Sequence, residues 1–293
     1  MSIQERISEN RPHLSASSVN TYSILAKRLF YRYHEKDTPI NFEWFNETET
    51  ILKDIESRPL ATQKTILSAV IAVCPDNRTY RDTLLYTGKK YQENIDKQEK
   101  SQTQSANWME FSEIKTIFDT MQKELKPILN SKGEISQYEF MRLQDLVLLA
   151  VTTGIFISPR RSTDWTHFKV RSIDKETDNY MDKDSLVFNI YKTKKFYGKQ
   201  TIVLPKALKT IITKYLNHNP YDYLFVNVDG TPLTNVTLGR RLNHIFGRNL
   251  STNLLRHIFL TDKMGSIPSL IEMKQTANDM AHSVEKQLEY IKR

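Results

Sequence analysis

The 293-residue sequence contains a single cysteine, Cys74. No disulfide framework and no thiolate metal cluster can form within one chain, which fits a reducing compartment. Cys74 closes the apolar stretch Ala69, Val70, Ile71, Ala72 and Val73, and reads as a small core hydrophobe. Long hydrophobic runs are also missing. The longest uncharged one, residues 146–159, falls short of the ~20 residues that a membrane span requires. The N-terminus, with Glu5 and Glu9, lacks the apolar centre of a signal peptide. The expectation is a soluble, intracellular protein with no membrane association. Internal repeats and long low-complexity segments are absent from the sequence.

What is present is enough apolar material for folded cores. The hydrophobic share is 39%, with 13 Phe, 14 Tyr and 3 Trp, so the chain is not generically disordered. At ~100–200 residues per domain, two domains are expected. The formal net charge is +8, and its placement is uneven. Residues 1–106 carry 15 basic and 14 acidic side chains, whereas the rest of the chain holds most of the excess. Residues 185–221 contain seven lysines and no acid, and residues 230–261 contain Arg240, Arg241, Arg248 and Arg256 and no acid. Local basic excess of this kind attracts phosphate and releases counterions on binding. On charge alone, a nucleic-acid partner and a merely solvated positive face both stay open.

The apolar periodicity is largely helical. Ser15 and Ser18 offer N-caps ahead of Val19, Tyr22, Ala26, Leu29, Phe30 and Tyr33 at helical spacing, with Thr38-Pro39 as a break. Thr62, Ile66, Ala69, Val70 and Val73 mark another helix, stopped by Pro75. Residues 1–90 therefore read as a small helical domain in which Lys27, Arg28 and Arg32 flank an apolar stripe. Residues 91–106 have the Lys-, Gln- and Ser-rich composition of a linker, which begins near Lys89. Residues 107–293 form the second domain. Leu143 to Val151 is apolar nearly all round and predicts a buried helix. The runs 186–191 and 201–204 predict two strands joined through a basic turn at Tyr197-Gly198. Pro205 suits the first position of a helix carrying Leu208, Ile211, Ile212 and Tyr215. Further helices are expected at 234–246, 251–261 and 276–280, and a last short one from Ser283.

Four segments of the second domain carry chemistry. They are Thr152-Thr153-Gly154 running into Pro159-Arg160-Arg161-Ser162-Thr163-Asp164; Tyr191-Lys192-Thr193; Asn253-Leu254-Leu255-Arg256-His257; and Met280-Ala281-His282-Ser283, with Tyr290 eight residues after the histidine. Their order resembles the catalytic domain of tyrosine recombinases. That family has a Gly and Arg-x-x-Glu/Asp box, a hairpin lysine, a His-x-Leu-Arg-His box, a Gly-His-Ser box and a C-terminal tyrosine. The resemblance covers residues 107–293; the helical front half is similar to the family's core-binding domain. The Pro-Arg-Arg and Met-Ala-His-Ser variants are most similar to recombinases of large DNA viruses and related mobile elements.

The resemblance implies a mainly α protein. A helical N-terminal core-binding domain would be followed by a mostly helical catalytic domain with a small antiparallel β-sheet. It implies a site-specific recombinase or integrase that cleaves and rejoins double-stranded DNA through a 3′-phosphotyrosyl intermediate on Tyr290. No cofactor and no metal would be used, and the two domains would clamp the duplex as DNA-driven homotetramers. Arg161 and Arg256 would clamp the non-bridging phosphate oxygens, where charge builds up. The Arg-x-x-Asp spacing favours Arg161, which Asp164 would orient, and Arg160 is the rival for that position. Lys192, at the end of the first hairpin strand, would protonate the leaving 5′-oxygen; Lys194, Lys195 and Lys199 are neighbours that could do so or simply hold the backbone. His282 would donate to the phosphate or seat the tyrosine. DNA contacts are also expected from Arg160, Arg240, Arg241, Lys27 and Arg28.

Three departures from the family pattern stand out. Asn253 occupies the place of a histidine and cannot act as a base near neutral pH. The spacing from His282 to Tyr290 is one residue shorter than is common. Only Ile291, Lys292 and Arg293 follow the tyrosine, where many family members carry a longer tail that docks on a neighbouring subunit. His257 reads as a packing residue. Two further readings remain: a type IB topoisomerase-like enzyme that relaxes DNA, and a catalytically silent DNA-binding descendant, for which Asn253 speaks.

Overall fold

In the computed structural model, which describes residues 1–96, 98–265 and 270–291, the chain forms two compact units, Met1–Lys97 and Gln98–Arg293. The first is built from α1 (Ile3–Asn10), α2 (Ala16–Phe30), a 3-10 turn (Phe42–Asn46), α3 (Thr48–Glu56), α4 (Leu60–Val73) and α5 (Arg78–Asp96). Helix α4 is apolar on nearly every side, so it becomes the central element, packed against α1, α2, α3 and α5. Ser15 caps α2 by accepting from the Ser18 backbone N–H, as its position before the apolar stripe predicts. The helix ends at Phe30, well before Thr38-Pro39. Lys27 and Arg28 lie on its exposed side, while Arg32 is paired with Asp54 at 2.7 Å. Cys74 donates to the Val70 carbonyl, and burial pushes its thiol up to about 11, so it is an unreactive packing group.

The polar stretch expected as a linker is helical at both ends. Residues 91–96 complete α5, and α6 (Gln102–Asn107) opens the second unit with a reciprocal capping box between Ser101 and Gln104. Lys97, between them, lies outside the described residues.

The second unit continues with α7 (Phe111–Leu129), α8 (Gln137–Thr152), α9 (Ser162–Trp165), β1 (Tyr180–Asp182), β2 (Ser185–Phe188), α10 (Lys194–Tyr197), β3 (Gln200–Val203), α11 (Lys206–Leu216), α12 (Asn235–Phe246), α13 (Thr252–Gly265), α14 (Leu270–Asp279) and α15 (Val284–Leu288). Helix α8 is the buried centre: every residue from Leu143 to Thr152 is inaccessible or nearly so. Its polar Gln144 is satisfied by the Val226 backbone at 2.7 and 3.0 Å. The sheet is antiparallel in the order β1-β2-β3, with Leu186 opposite Ile202 and Phe188 opposite Gln200. Leu186 and Phe188 are buried, and Phe188 meets Trp165 and Phe168 edge-on or tilted. Strand β1 is not among the elements the sequence predicts, because three residues beside a tight turn carry no readable alternation.

The hairpin is shorter than expected. Strand β2 ends at Phe188, and the connection to β3 contains the single helical turn α10. Lys192 therefore sits in a turn beyond the strand rather than at its end. The chain leaves the ladder there because the Asn179 side chain accepts from the Asn189 and Ile190 backbone N–H groups, and the Tyr191 hydroxyl donates to the Gly198 carbonyl at 2.6 Å.

Candidate active site

Gly154 sets the entrance to the arginine segment. Its φ is +97°, and a Cβ built there would stand 2.3 Å from the Phe259 ring. Only glycine allows the chain after α8 to pass this close to α13, the helix that carries Arg256 and His257. The following turn delivers Arg160 and Arg161 to different surroundings.

Arg160 is 1% exposed. Its Nε donates to Asp164 Oδ2 at 2.9 Å, and its Nη1 donates to Gln200 Oε1 at 2.6 Å and to the Asp279 carbonyl at 3.0 Å. The guanidinium lies 4.0 Å from the Phe188 ring centroid and 5.1 Å from that of Tyr191. Burial raises the Asp164 pKa and lowers that of Arg160, and the charge of each opposes the shift of the other. This corrects two expectations: Arg160 is not a surface group open to DNA, and Asp164 hydrogen-bonds Arg160 rather than Arg161. Arg160 lies in the extended segment that leads into α9, and its side chain reaches Asp164 in the first turn of that helix, four residues on. Arg160 thus joins α9, the hairpin and the turn after α14 into one frame.

The same turn is held twice more. Gln200 Nε2 donates to the Asn278 carbonyl at 3.0 Å, and Thr193 Oγ1 donates to the Ala281 carbonyl at 2.7 Å. Ala281 stands where the resembling family has glycine, and its φ of +55° is the left-handed conformation that glycine adopts freely. This turn aims His282 into the interior, and Ser283 then caps α15.

Arg256, His282 and Tyr290 converge. Arg256, 1% exposed on α13, donates from Nη1 to the Tyr290 hydroxyl at 3.1 Å, with its guanidinium 4.7 Å from the ring centroid. The His282 ring lies 5.4 Å from the Tyr290 ring. The His257 ring packs against that of Tyr290 at 4.6 Å, and its Nδ1 bonds the Tyr290 carbonyl at 2.6 Å, which seats the tyrosine backbone. Burial pulls the Arg256 pKa down to about 10, which leaves it cationic at neutral pH. Burial, with the charges of Arg256, Arg161 and Lys286, holds the His282 pKa down to about 4. His282 is therefore neutral. With Nδ1 at 3.0 Å from the Ser283 carbonyl, the favoured tautomer carries its proton there and leaves a lone pair on Nε2.

Five nitrogens here are buried without a hydrogen-bond partner among the described residues: Arg160 Nη2, Arg161 Nη1, Arg256 Nε and Nη2, and His282 Nε2. Leaving such groups unpaired is costly. Four of the five belong to guanidinium donors of Arg160, Arg161 and Arg256, which lie within electrostatic reach of one another, and such a group suits an anion with several acceptor oxygens. The other expected groups are peripheral. Lys192, Lys194, Lys195 and Lys199 are exposed around the hairpin connection, and Asn253 is exposed one turn before Arg256. Arg240 is exposed on α12. Arg241 is not available as a free cation: its Nε donates to Asp145 Oδ1 at 2.6 Å and its Nη2 to the Met141 carbonyl at 2.8 Å. The buried carboxylate of α8 explains this correction, since Asp145 needs a partner to stay ionised. Lys292 and Arg293 lie outside the described residues. Sequence reasoning missed Gln200 and Asn179 and gave Thr193 no role of its own, because what these residues do depends on contacts with other segments. Among the described residues no group of three or more His, Cys, Asp or Glu could hold a metal ion, and no helix is long and apolar enough to cross a membrane.

No family model matches the sequence, and no curated protein matches it. Solved structures share its fold. The Tn1549 transposon integrase in complex with transposon right end DNA superposes with a TM-score of 0.58 at 12% identity, over 100% of this chain and 95% of that one. The XerH site-specific recombinase, in a pre-cleavage complex with its difH substrate, gives 0.52 at 16% identity, over 94% and 76%. XerA recombinase is similar at 0.43 and 13% identity, over 98% and 92%, a likeness too weak to add to the argument. The chain has the tyrosine recombinase fold. At these identities the likeness is one of architecture, and function has to be argued from the site.

Proposed function

We propose that this protein is a site-specific DNA recombinase or integrase that cleaves and rejoins double-stranded DNA through Tyr290. The observation that carries the reading is the meeting of Arg256, Tyr290 and His282, with Arg161 within electrostatic reach and guanidinium nitrogens of Arg161 and Arg256 unpaired. In the proposed step the Tyr290 hydroxyl gives up its proton to solvent as its oxygen attacks the scissile phosphorus. A 3′-phosphotyrosyl bond forms, the bond to the 5′-oxygen breaks, and that oxygen leaves with a proton. Attack by the 5′-hydroxyl of another strand reverses the step, so the energy of the phosphodiester is retained without ATP. Arg161 and Arg256 hold the non-bridging oxygens. Burial is the main cause that depresses His282; a bound phosphate offsets the added arginine charges and moves its pKa upward, and a protonated Nε2 would donate to the same oxygens. Lys192 is the proposed acid for the leaving oxygen, with Lys194, Lys195 and Lys199 as alternates. The turn that carries it is fastened next to His282 by the Thr193 bond. In the first unit, exposed Lys27 and Arg28 supply phosphate contacts. Assembly into tetramers on DNA completes the proposal, since exchange between two duplexes cuts four strands.

The test uses a pool of nicked duplexes of randomised sequence, in which a cleaved fragment diffuses away and traps the adduct. Wild-type protein should yield a covalent adduct mapped to Tyr290 by mass spectrometry. Tyr290→Phe should retain DNA affinity and form none, and Arg256→Ala should lower the cleavage rate by ~10²–10³. An adduct formed equally by Tyr290→Phe removes Tyr290 from its role. Binding without any adduct from the wild type favours a silent DNA-binding protein.

A further inference from the structure

The connection between β2 and β3 carries an exposed aromatic residue that the proposed chemistry does not use. Phe196 is 81% exposed, and Ile190, on the same connection, is 59% exposed. Single exposed apolar side chains are ordinary on a protein surface; what sets Phe196 apart is its mount and its basic neighbours. Here the exposure comes from a rigid turn. Helix α10 is one turn long; its Tyr197 packs inward against the core, which forces the preceding Phe196 outward. The turn is closed by backbone bonds from Phe196 and Tyr197 to the Thr193 carbonyl at 3.0 and 3.2 Å. It is pinned below by the Tyr191 hydroxyl on the Gly198 carbonyl. The Thr193 bond to Ala281 ties it to the turn that presents His282. The aromatic ring is thus held out on a fixed mount beside the candidate active site.

The surroundings indicate what it meets. Lys192, Lys194, Lys195 and Lys199 flank it along the connection, and residues 185–221 contain no acid. A protein partner here would have to be strongly acidic, whereas a nucleic acid supplies both the phosphates for the lysines and flat apolar surfaces for the ring.

We propose that Phe196 is a base-contacting wedge: the lysines seat the duplex backbone, and the ring inserts against a base step next to the cleaved phosphate. This rests on the DNA-cleavage reading above. An inserted apolar side chain unstacks a step and bends the duplex, and flexible pyrimidine–purine steps open most readily. The wedge would therefore contribute to choice of the cleavage site without reading base edges.

The test replaces Phe196 with tryptophan and uses a mixed-sequence duplex as the probe, so no knowledge of the natural target is needed. The emission of Phe196→Trp, after subtraction of the wild-type signal from Trp44, Trp108 and Trp165, should be quenched on DNA binding and shielded from iodide. Phe196→Ala should weaken binding about tenfold with the salt slope unchanged, while Lys194→Ala should reduce that slope by about one unit. Full DNA binding by Phe196→Trp with its difference emission unaltered overturns the wedge and leaves the recombinase reading standing. Quenching that depends on protein concentration without DNA also overturns it, in favour of a protein contact. Failure of the wild type to bind any duplex removes both readings.

Discussion

Lowering the pH isolates the electrostatic character of the site through His282. Its ordinary pKa is 6.5, and burial with the charges of Arg256, Arg161 and Lys286 holds it at about 4 in the folded protein. Between these values the unfolded chain binds a proton that the folded protein refuses. The stability contributed by neutral His282 is therefore complete above pH 6.5, declines as the pH falls from there to 4, and is lost below that. At ~1.4 kcal/mol per pH unit, the window corresponds to about 3 kcal/mol. Urea unfolding at pH 7 and pH 4, for the wild type and for His282→Gln, measures it. Subtracting the two cancels every other titrating group, and the wild type should lose about 3 kcal/mol more than the variant. Sulfate should shrink the difference, because an anion between Arg161 and Arg256 removes part of the repulsion that depresses His282. Parallel pH profiles for the two proteins would refute the reasoning, since His282 would then titrate as freely in the folded protein as in the unfolded one.

The frame around the site gives two further expectations. Asp164→Ala leaves the Arg160 guanidinium buried without its counter-charge and should cost ~3–5 kcal/mol in urea unfolding, whereas Arg160→Met combined with Asp164→Ala should recover most of the loss; a double variant no more stable than Asp164→Ala would show that the ion pair is not the source. Gly154→Ala combines an unfavourable φ with a Cβ inside the Phe259 ring and should destabilise by about 2 kcal/mol or more; an unchanged melting temperature would show that the α8–α13 contact yields easily.

The parts of the fold legible in the sequence are those written in local periodicity and capping. Ser15 and Thr234 stand at helix starts because a side-chain oxygen followed by the right spacing satisfies free backbone N–H groups whatever the rest of the chain does. Helix α8 is readable as buried because it has almost no polar face. The hairpin is readable in outline only. Its strands show as short apolar, β-branched runs, but the point at which the chain leaves the ladder depends on Asn179 and on the Tyr191–Gly198 bond, neither of which has a local signature. The polar segment after Lys89 reads as a linker by composition, yet helix caps and continuation of α5 organise both of its ends.

The order of the chemical residues along the chain belongs to the sequence alone: arginine, hairpin lysine, arginine, histidine and tyrosine are present in a sequence that resembles a phosphoryl-transfer array. Tertiary structure decided which of them meet. Arg160 and Arg161 are adjacent and chemically identical, and the local Arg-x-x-Asp spacing assigns Asp164 to Arg161, whereas the fold pairs it with Arg160. They part because a buried carboxylate, the hairpin glutamine and the Asp279 carbonyl enclose Arg160, whereas none of these bonds reaches Arg161. Arg241 and Asp145, 96 residues apart, cancel each other for the same reason. Charge in a folded protein is defined by what surrounds it after desolvation, and only the packed chain supplies those surroundings.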